Sequence, residues 1–221
     1  MTRPEFIVDG FRNFKDMFTP DERSTTYVFI GKDGVIPVGL EDHFNGINEI
    51  KLSDRVSERL RIHFDTAKNL ALYSWFVYRF GPVAEHQAFI SFEYALRERL
   101  KAKLQDPKNP PRFNGLLRMA VENGLLKNEG FTQWYNRKEQ IKYINDQHKE
   151  MLESVGMEFQ PLPEEVDYLS SLIETFPKLR NFYSHGTSML HPVKLDVLLT
   201  CAEGINQLFE KPEVNTEGNN L

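Results

Sequence analysis

Pro177-Lys178-Leu179-Arg180-Asn181-Phe182-Tyr183-Ser184-His185-Gly186 is the stretch that decides how this chain is read. An arginine, an adjacent amide and a histidine five residues after the arginine stand between a proline and a glycine. Proline loses nothing at the first position of a helix, where its missing N–H would have no partner. Glycine reaches the left-handed conformation that closes a helix. The stretch therefore predicts a short helix that opens at Pro177 and closes at Gly186. Asn181 and His185 then share a face. Arg180 and His185 diverge by roughly 140° on an ideal helix of about 3.6 residues per turn. One copy is poorly shaped to grip a single phosphate with both groups. Two copies meeting across a two-fold axis suit that task better.

The residue types suit metal-free cleavage of a phosphodiester. Arginine neutralises a phosphate through paired N–H donors, and imidazole exchanges protons near neutral pH. The competing reading is structural. His185 would satisfy the last carbonyls of a helix, Asn181 would form a turn, and Arg180 would pack and pair with a carboxylate. Glu93, on an earlier helix, is a candidate for that carboxylate.

The sequence on either side is mostly helical. Upstream, 164–176 carries Val166, Leu169, Leu172, Ile173 and Phe176 on one side. Downstream, Pro192 sits in the expected first turn of a last helix with Leu195, Leu198, Cys201, Ile205 and Leu208 inward. From Ser53, where Ser53 or Asp54 supplies the cap, Val56, Leu60, Phe64, Ala67 and Ala71 recur at helical spacing. Gly81-Pro82 starts another helix, with Phe89, Phe92, Leu96, Leu100 and Leu104 as its stripe. Its end is basic, with Arg97, Arg99, Lys101 and Lys103, either a solvated face or a track for RNA. After the break at Pro110-Pro111 comes a shorter helix with Leu116, Leu117, Ala120 and Val121, ending near Asn123-Gly124. From Thr132 to Val155 a long polar helix carries only a narrow seam, Trp134, Ile141, Ile144, His148, Met151 and Val155, suited to one neighbouring helix or a second subunit.

Residues 1–50 differ in character. Tyr27-Val28-Phe29-Ile30 and Val35-Ile36-Pro37-Val38 flank Gly31-Lys32-Asp33-Gly34, which predicts a small hairpin with Pro37 on its edge.

The chain has 221 residues, 27 Lys+Arg against 32 Asp+Glu and a net charge of -5. That balance argues against a protein coated in nucleic acid, though it leaves room for a local phosphate pocket. A lone cysteine, Cys201, excludes an internal disulfide and a thiolate metal cage, and its apolar setting predicts a buried thiol. The six histidines form neither HxH nor HExxH, so no metal is expected. His63 and His86 read as surface or packing residues. Without an apolar run of membrane-spanning length or a visible secretory signal, a cytoplasmic protein is expected.

Arg180-Asn181-x-x-x-His185, with Leu179 before it and a Tyr183-Ser184-His185-Gly186 end, resembles the Arg-polar-x-x-x-His signature of the HEPN superfamily (higher eukaryote and prokaryote nucleotide-binding domains). Glu85 to Leu104, with Ala88, Phe92, Glu93, Ala95 and Leu96, is similar to an early bundle helix of such domains. The resemblance implies a mainly α chain. A HEPN-like helical bundle would span 51–210, with an inserted helical pair over about 112–155. An N-terminal extension with a small β-hairpin would occupy 1–50, and a flexible tail 211–221. It further implies a metal-independent endoribonuclease that cleaves single-stranded RNA through the 2′-hydroxyl, with a site shared across a homodimer. Arg180 would stabilise the phosphorane-like transition state and His185 would move protons. Asn181 would orient His185 or the phosphate. The products would be a 2′,3′-cyclic phosphate and a 5′-hydroxyl, with no metal and no cofactor. Arg97, Arg99 and Lys101 are the candidate RNA-binding residues. A partner protein or antitoxin is the expected setting, in a toxin–antitoxin, antiviral or RNA-processing system. The alternative is a non-catalytic HEPN-like module that binds a nucleotide, or a partner protein through the 132–155 seam, which the net charge and the inserted helices favour.

Overall fold

In the computed structural model the described residues are 10–31, 34–104, 106, 109–163, 165–185 and 190–210. Among them the chain is mainly α-helical, with one two-stranded antiparallel sheet. Strands β1 (Val28–Gly31) and β2 (Gly34–Pro37) form the predicted hairpin, with Val28 opposite Pro37 and Gly31 opposite Gly34. Lys32 and Asp33 of its turn lie outside the described residues. Two strands alone are marginal in water. This pair is tied down beside β1 by Tyr27, whose ring meets Trp75 edge-on at 6.3 Å. Asp21 and Ser24 dock on the same corner through hydrogen bonds to the carbonyls of Trp75 and Ser74.

Helix α1 (Leu40–Asn48) follows, in a region where sequence periodicity gave no helix. Only His43 and Ile47 of it are buried, so it offers little apolar rhythm to read. His43 hangs it on the next helix through Nε2 and the Ala71 carbonyl, at 2.9 Å. That next helix, α2 (Glu58–Tyr73), is preceded by Ser57 rather than by Ser53 or Asp54. Ser53 is engaged elsewhere, its N–H donating to Asn206 Oδ1 at 2.7 Å.

The centre of the molecule is α3 (Phe80–Leu100), with α4 (Phe113–Glu122), α6 (Tyr168–Ser184) and α7 (Leu195–Phe209) packed around it together with α2. Ala84, Ala88, Phe89, Phe92, Ala95, Leu96 and Leu100 are fully buried, so α3 is apolar nearly all round, as a central helix must be. Its small residues let neighbours come close. A Cβ on Gly204 of α7 would stand 2.4 Å from Phe92 Cζ, so only glycine permits this crossing. Cys201 is fully buried in the same core, and burial pushes its thiol well up. Helix α4 ends at Asn123-Gly124 as expected. Gly124 has φ +66, and the Leu125 and Gly124 N–H groups return to the Ala120 and Val121 carbonyls.

Helix α5 (Thr132–Ser154) matches the predicted long polar helix. Trp134 anchors its start through Nε1 and the Val166 carbonyl, at 2.9 Å. The far end of the seam is open, with Met151 and Val155 exposed.

Two proline expectations are corrected. Pro177 does not open a helix but lies inside α6, which runs unbroken from Tyr168 to Ser184. Proline there forfeits one backbone bond and crowds the preceding turn. Packing on both sides of it compensates: Leu169, Leu172 and Phe176 are buried before it, and Tyr183 meets α3 after it. Pro192 also lies before its helix, which starts at Leu195. Lys194, at φ -93 and ψ 101, is still extended, and its N–H donates to buried Glu85. Gly186 and the 211–221 tail lie outside the described residues.

Candidate functional site

Helices α3 and α6 pack against each other. Glu85 meets Tyr183, Phe89 lies against Tyr183 and Phe176, and Glu93 meets Arg180. The register brings the C-terminal half of α6 against acidic groups of α3. Arg180 Nη2 lies 3.1 Å from Glu93 Oε2, and Arg97 Nη2 lies 2.6 Å from Glu93 Oε1. One carboxylate thus holds two arginines, one on each oxygen. Glu93 is nearly buried, whereas the two arginine side chains remain about a third exposed, at 33% and 36%. Arg180 Nη1 also donates to Asn181 Oδ1 at 3.3 Å, while its Nε is buried without a hydrogen-bond partner among the described residues.

These groups line a cleft of about 450 Å³, bordered by Glu93, Arg97, Arg112, Arg180, Asn181 and His185. Phe113, Asn114 and Pro177 complete it. Arg180 and His185 therefore open onto the same cleft of one chain, despite the divergence that an ideal helix gives them. His185 is the residue after the last turn of α6, at φ -91 and ψ 12, where the helical path has already been left. Its ring is exposed to solvent. The Asn181 side chain bonds Arg180, so it positions the arginine; its backbone carbonyl accepts the His185 N–H at 3.1 Å.

The basic end of α3 divides. Arg97 borders the cleft. Arg99 points to α7, its Nε donating to the Leu208 carbonyl at 2.7 Å and capping that helix. Lys101 lies in the 3-10 turn after α3 and is exposed outside the cleft lining. Arg112, which precedes α4, joins the cleft with no sequence signal to mark it beyond the preceding Pro-Pro break.

A buried polar cluster supports the same end of α6. Glu85 is fully buried and accepts from Tyr183 Oη at 2.7 Å and from the Lys194 N–H at 2.8 Å, with His191 Nδ1 at 3.5 Å. Burial pushes the Glu85 carboxyl up, against the pull of those donors. Burial, helped by Glu85, pushes the Tyr183 phenol up as well. His86 bonds Ser184 Oγ at 2.9 Å, and burial together with the Arg180 charge lowers its basicity. A larger groove, of about 570 Å³ between α5, α6 and α7, is lined by Gln133, Asn136, Arg137, Tyr168 and Thr200 among others. It holds no histidine and does not touch Arg180 or His185, so the smaller cleft carries the candidate chemistry.

Among the described residues no group of three His, Cys, Asp or Glu side chains is placed to hold a metal ion, and no helix is long and apolar enough to cross a membrane. No protein-family model, no curated protein and no solved structure matches the chain.

Proposed function

We propose that this protein is a metal-independent endoribonuclease of the HEPN type, acting on single-stranded RNA. The observation that carries the reading is the cleft itself: Arg180 and His185 border one solvent-open space with two further arginines and a single carboxylate. Guanidinium groups at a fixed distance stabilise the extra charge of a pentavalent phosphorus. Attack by the 2′-hydroxyl on its own phosphate requires one group to take that proton and another to protonate the departing 5′-oxygen. The cleft of one chain contains one imidazole, that of His185. A second copy of the chain, related by a two-fold axis, would supply the other, and this chemical need favours a homodimeric site.

The test is single-stranded RNA in EDTA, beside the same sequence with 2′-O-methyl riboses. Cleavage of the first but not the second, leaving 2′,3′-cyclic phosphate ends, supports the proposal. Cleavage of both, or of neither, contradicts it.

A second reading rests on the Glu93 bridge. Ion pairs from Glu93 to Arg97 and Arg180 are what a purely architectural arginine would make. The chain would then be a non-catalytic bundle with an interaction or nucleotide-binding role. Arg180→Ala would in that case lower thermal stability and change no RNA cleavage.

A further inference from the structure

The cleft is larger than one phosphate needs. A water molecule's share of liquid volume is about 30 Å³, and a phosphate group fills only a small part of about 450 Å³. Its basic residues also fall into two groups. Arg180 and His185 come from the end of α6, whereas Arg97 and Arg112 come from α3 and the start of α4.

Resting on the ribonuclease reading of this cleft, we propose that Arg97, Arg112 and the first turn of α4 form a subsite for a second backbone phosphate of the RNA, beside the one that Arg180 and His185 address. The Arg112 side chain makes no ion pair or hydrogen bond among the described residues, so its charge is uncommitted. Arg97 spends one Nη on Glu93 and keeps other donors of its five N–H groups. Helix α4 starts without a side-chain cap. The Leu116 N–H takes the Arg112 carbonyl and the Gly115 N–H takes Asn114 Oδ1. Among the described residues the Phe113 and Asn114 N–H groups have no such acceptor, and both residues line the cleft. Uncapped amides at the positive end of a helix dipole attract an anion, here reinforced by two arginines. Glu93 is the one acidic residue in the lining. Three arginines against one carboxylate make a local positive field in a chain whose net charge is -5. A phosphate chain is thereby confined to this cleft rather than spread over the surface.

The experiment uses uncleavable 2′-deoxy oligonucleotides, a dinucleotide with one phosphate and a trinucleotide with two. A trinucleotide with one neutral methylphosphonate linkage controls for the added base, prepared with either linkage replaced. Binding is measured by titration at several salt concentrations. The wild-type protein should bind the two-phosphate trinucleotide about tenfold tighter than the dinucleotide. Its plot of log K against log salt should be steeper by about 0.7, the increment for one more single-strand phosphate. Arg112→Gln, at an exposed position, should keep the wild-type melting temperature. It should lose the increment in both affinity and slope. An increment that survives Arg112→Gln, or a trinucleotide no tighter than its methylphosphonate controls, overturns the subsite. Loss of RNA cleavage with the increment intact would sink the catalytic reading and leave the subsite standing. Cleavage with no increment would do the reverse.

Discussion

Arg180 and Glu93, 87 residues apart in sequence, meet at 3.1 Å across α6 and α3. The same carboxylate holds Arg97 at 2.6 Å, so Glu93 fixes the positions of two guanidinium groups at the mouth of the cleft. Both guanidinium groups stay about a third exposed, so solvent weakens the coupling. Glu93→Gln and Arg180→Gln, made singly and together, should give a stability coupling of about 1 kcal/mol in a double-mutant cycle. Strict additivity in chemical denaturation would contradict the pairing.

Tyr183→Phe removes one hydrogen bond from a carboxylate that has no route to solvent. The expected loss is about 1–3 kcal/mol, read from the urea midpoint, because buried Glu85 loses one of its hydrogen-bond donors. An unchanged midpoint would show that Tyr183 does not support Glu85.

Glu85 also sets a pH dependence. Its carboxyl is raised above 4.5 in the folded chain, chiefly by burial. The folded state therefore holds that proton more tightly than the unfolded state does. The contribution is fully present below the unfolded value and is lost as pH rises through the folded one. Glu85→Gln removes the titration and keeps an acceptor. The wild type's stability relative to Glu85→Gln should fall as pH rises from about 4 toward neutrality. A difference that is flat, or that grows with pH, would contradict the assignment.

His43 works with the opposite sign. Burial holds its imidazole below 6.5 despite the Ala71 carbonyl. Its contribution is present above that value and is lost as pH falls through the folded one. His43→Gln should remove an acid-side loss of stability that the wild type shows below about pH 6.5. Parallel stability curves for the two proteins would count against a buried neutral His43.

Gly204→Ala tests the crossing of α3 and α7. The added methyl would meet the Phe92 ring at 2.4 Å, and Phe92 is fully buried. Such overpacking costs about 1–3 kcal/mol, visible as a lowered melting temperature. A neutral substitution would mean the two helices are free to part.

Most helices were legible because their apolar residues recur at a helical period. The stripes of α2, α3, α4 and α7 are the core observed. Helix α1 escaped because it buries so little. Pro177 misled for another reason. Local preference places proline at a helix start, but the flanking turns both pack on the bundle and carry the helix through. At the candidate site, the sequence showed Arg180, Asn181 and His185 and raised Glu93 as one possible partner. It could not fix that contact, which depends on the register between two helices. The basic run was separable in principle. Arg97 and Arg99 are two residues apart and lie roughly 200° apart around a helix, which is why one borders the cleft and the other caps α7. Arg112 carried no signal, because only the turn into α4 brings it to the cleft.

The most direct measurement is the rate of single-stranded RNA cleavage in EDTA by the wild type and by His185→Ala at matched folding. His185 is exposed, so the variant should melt with the wild type. A general acid–base group contributes about 10²- to 10⁴-fold to rate, and His185→Ala should lose activity by that factor. Equal cleavage by the two folded proteins would contradict the account.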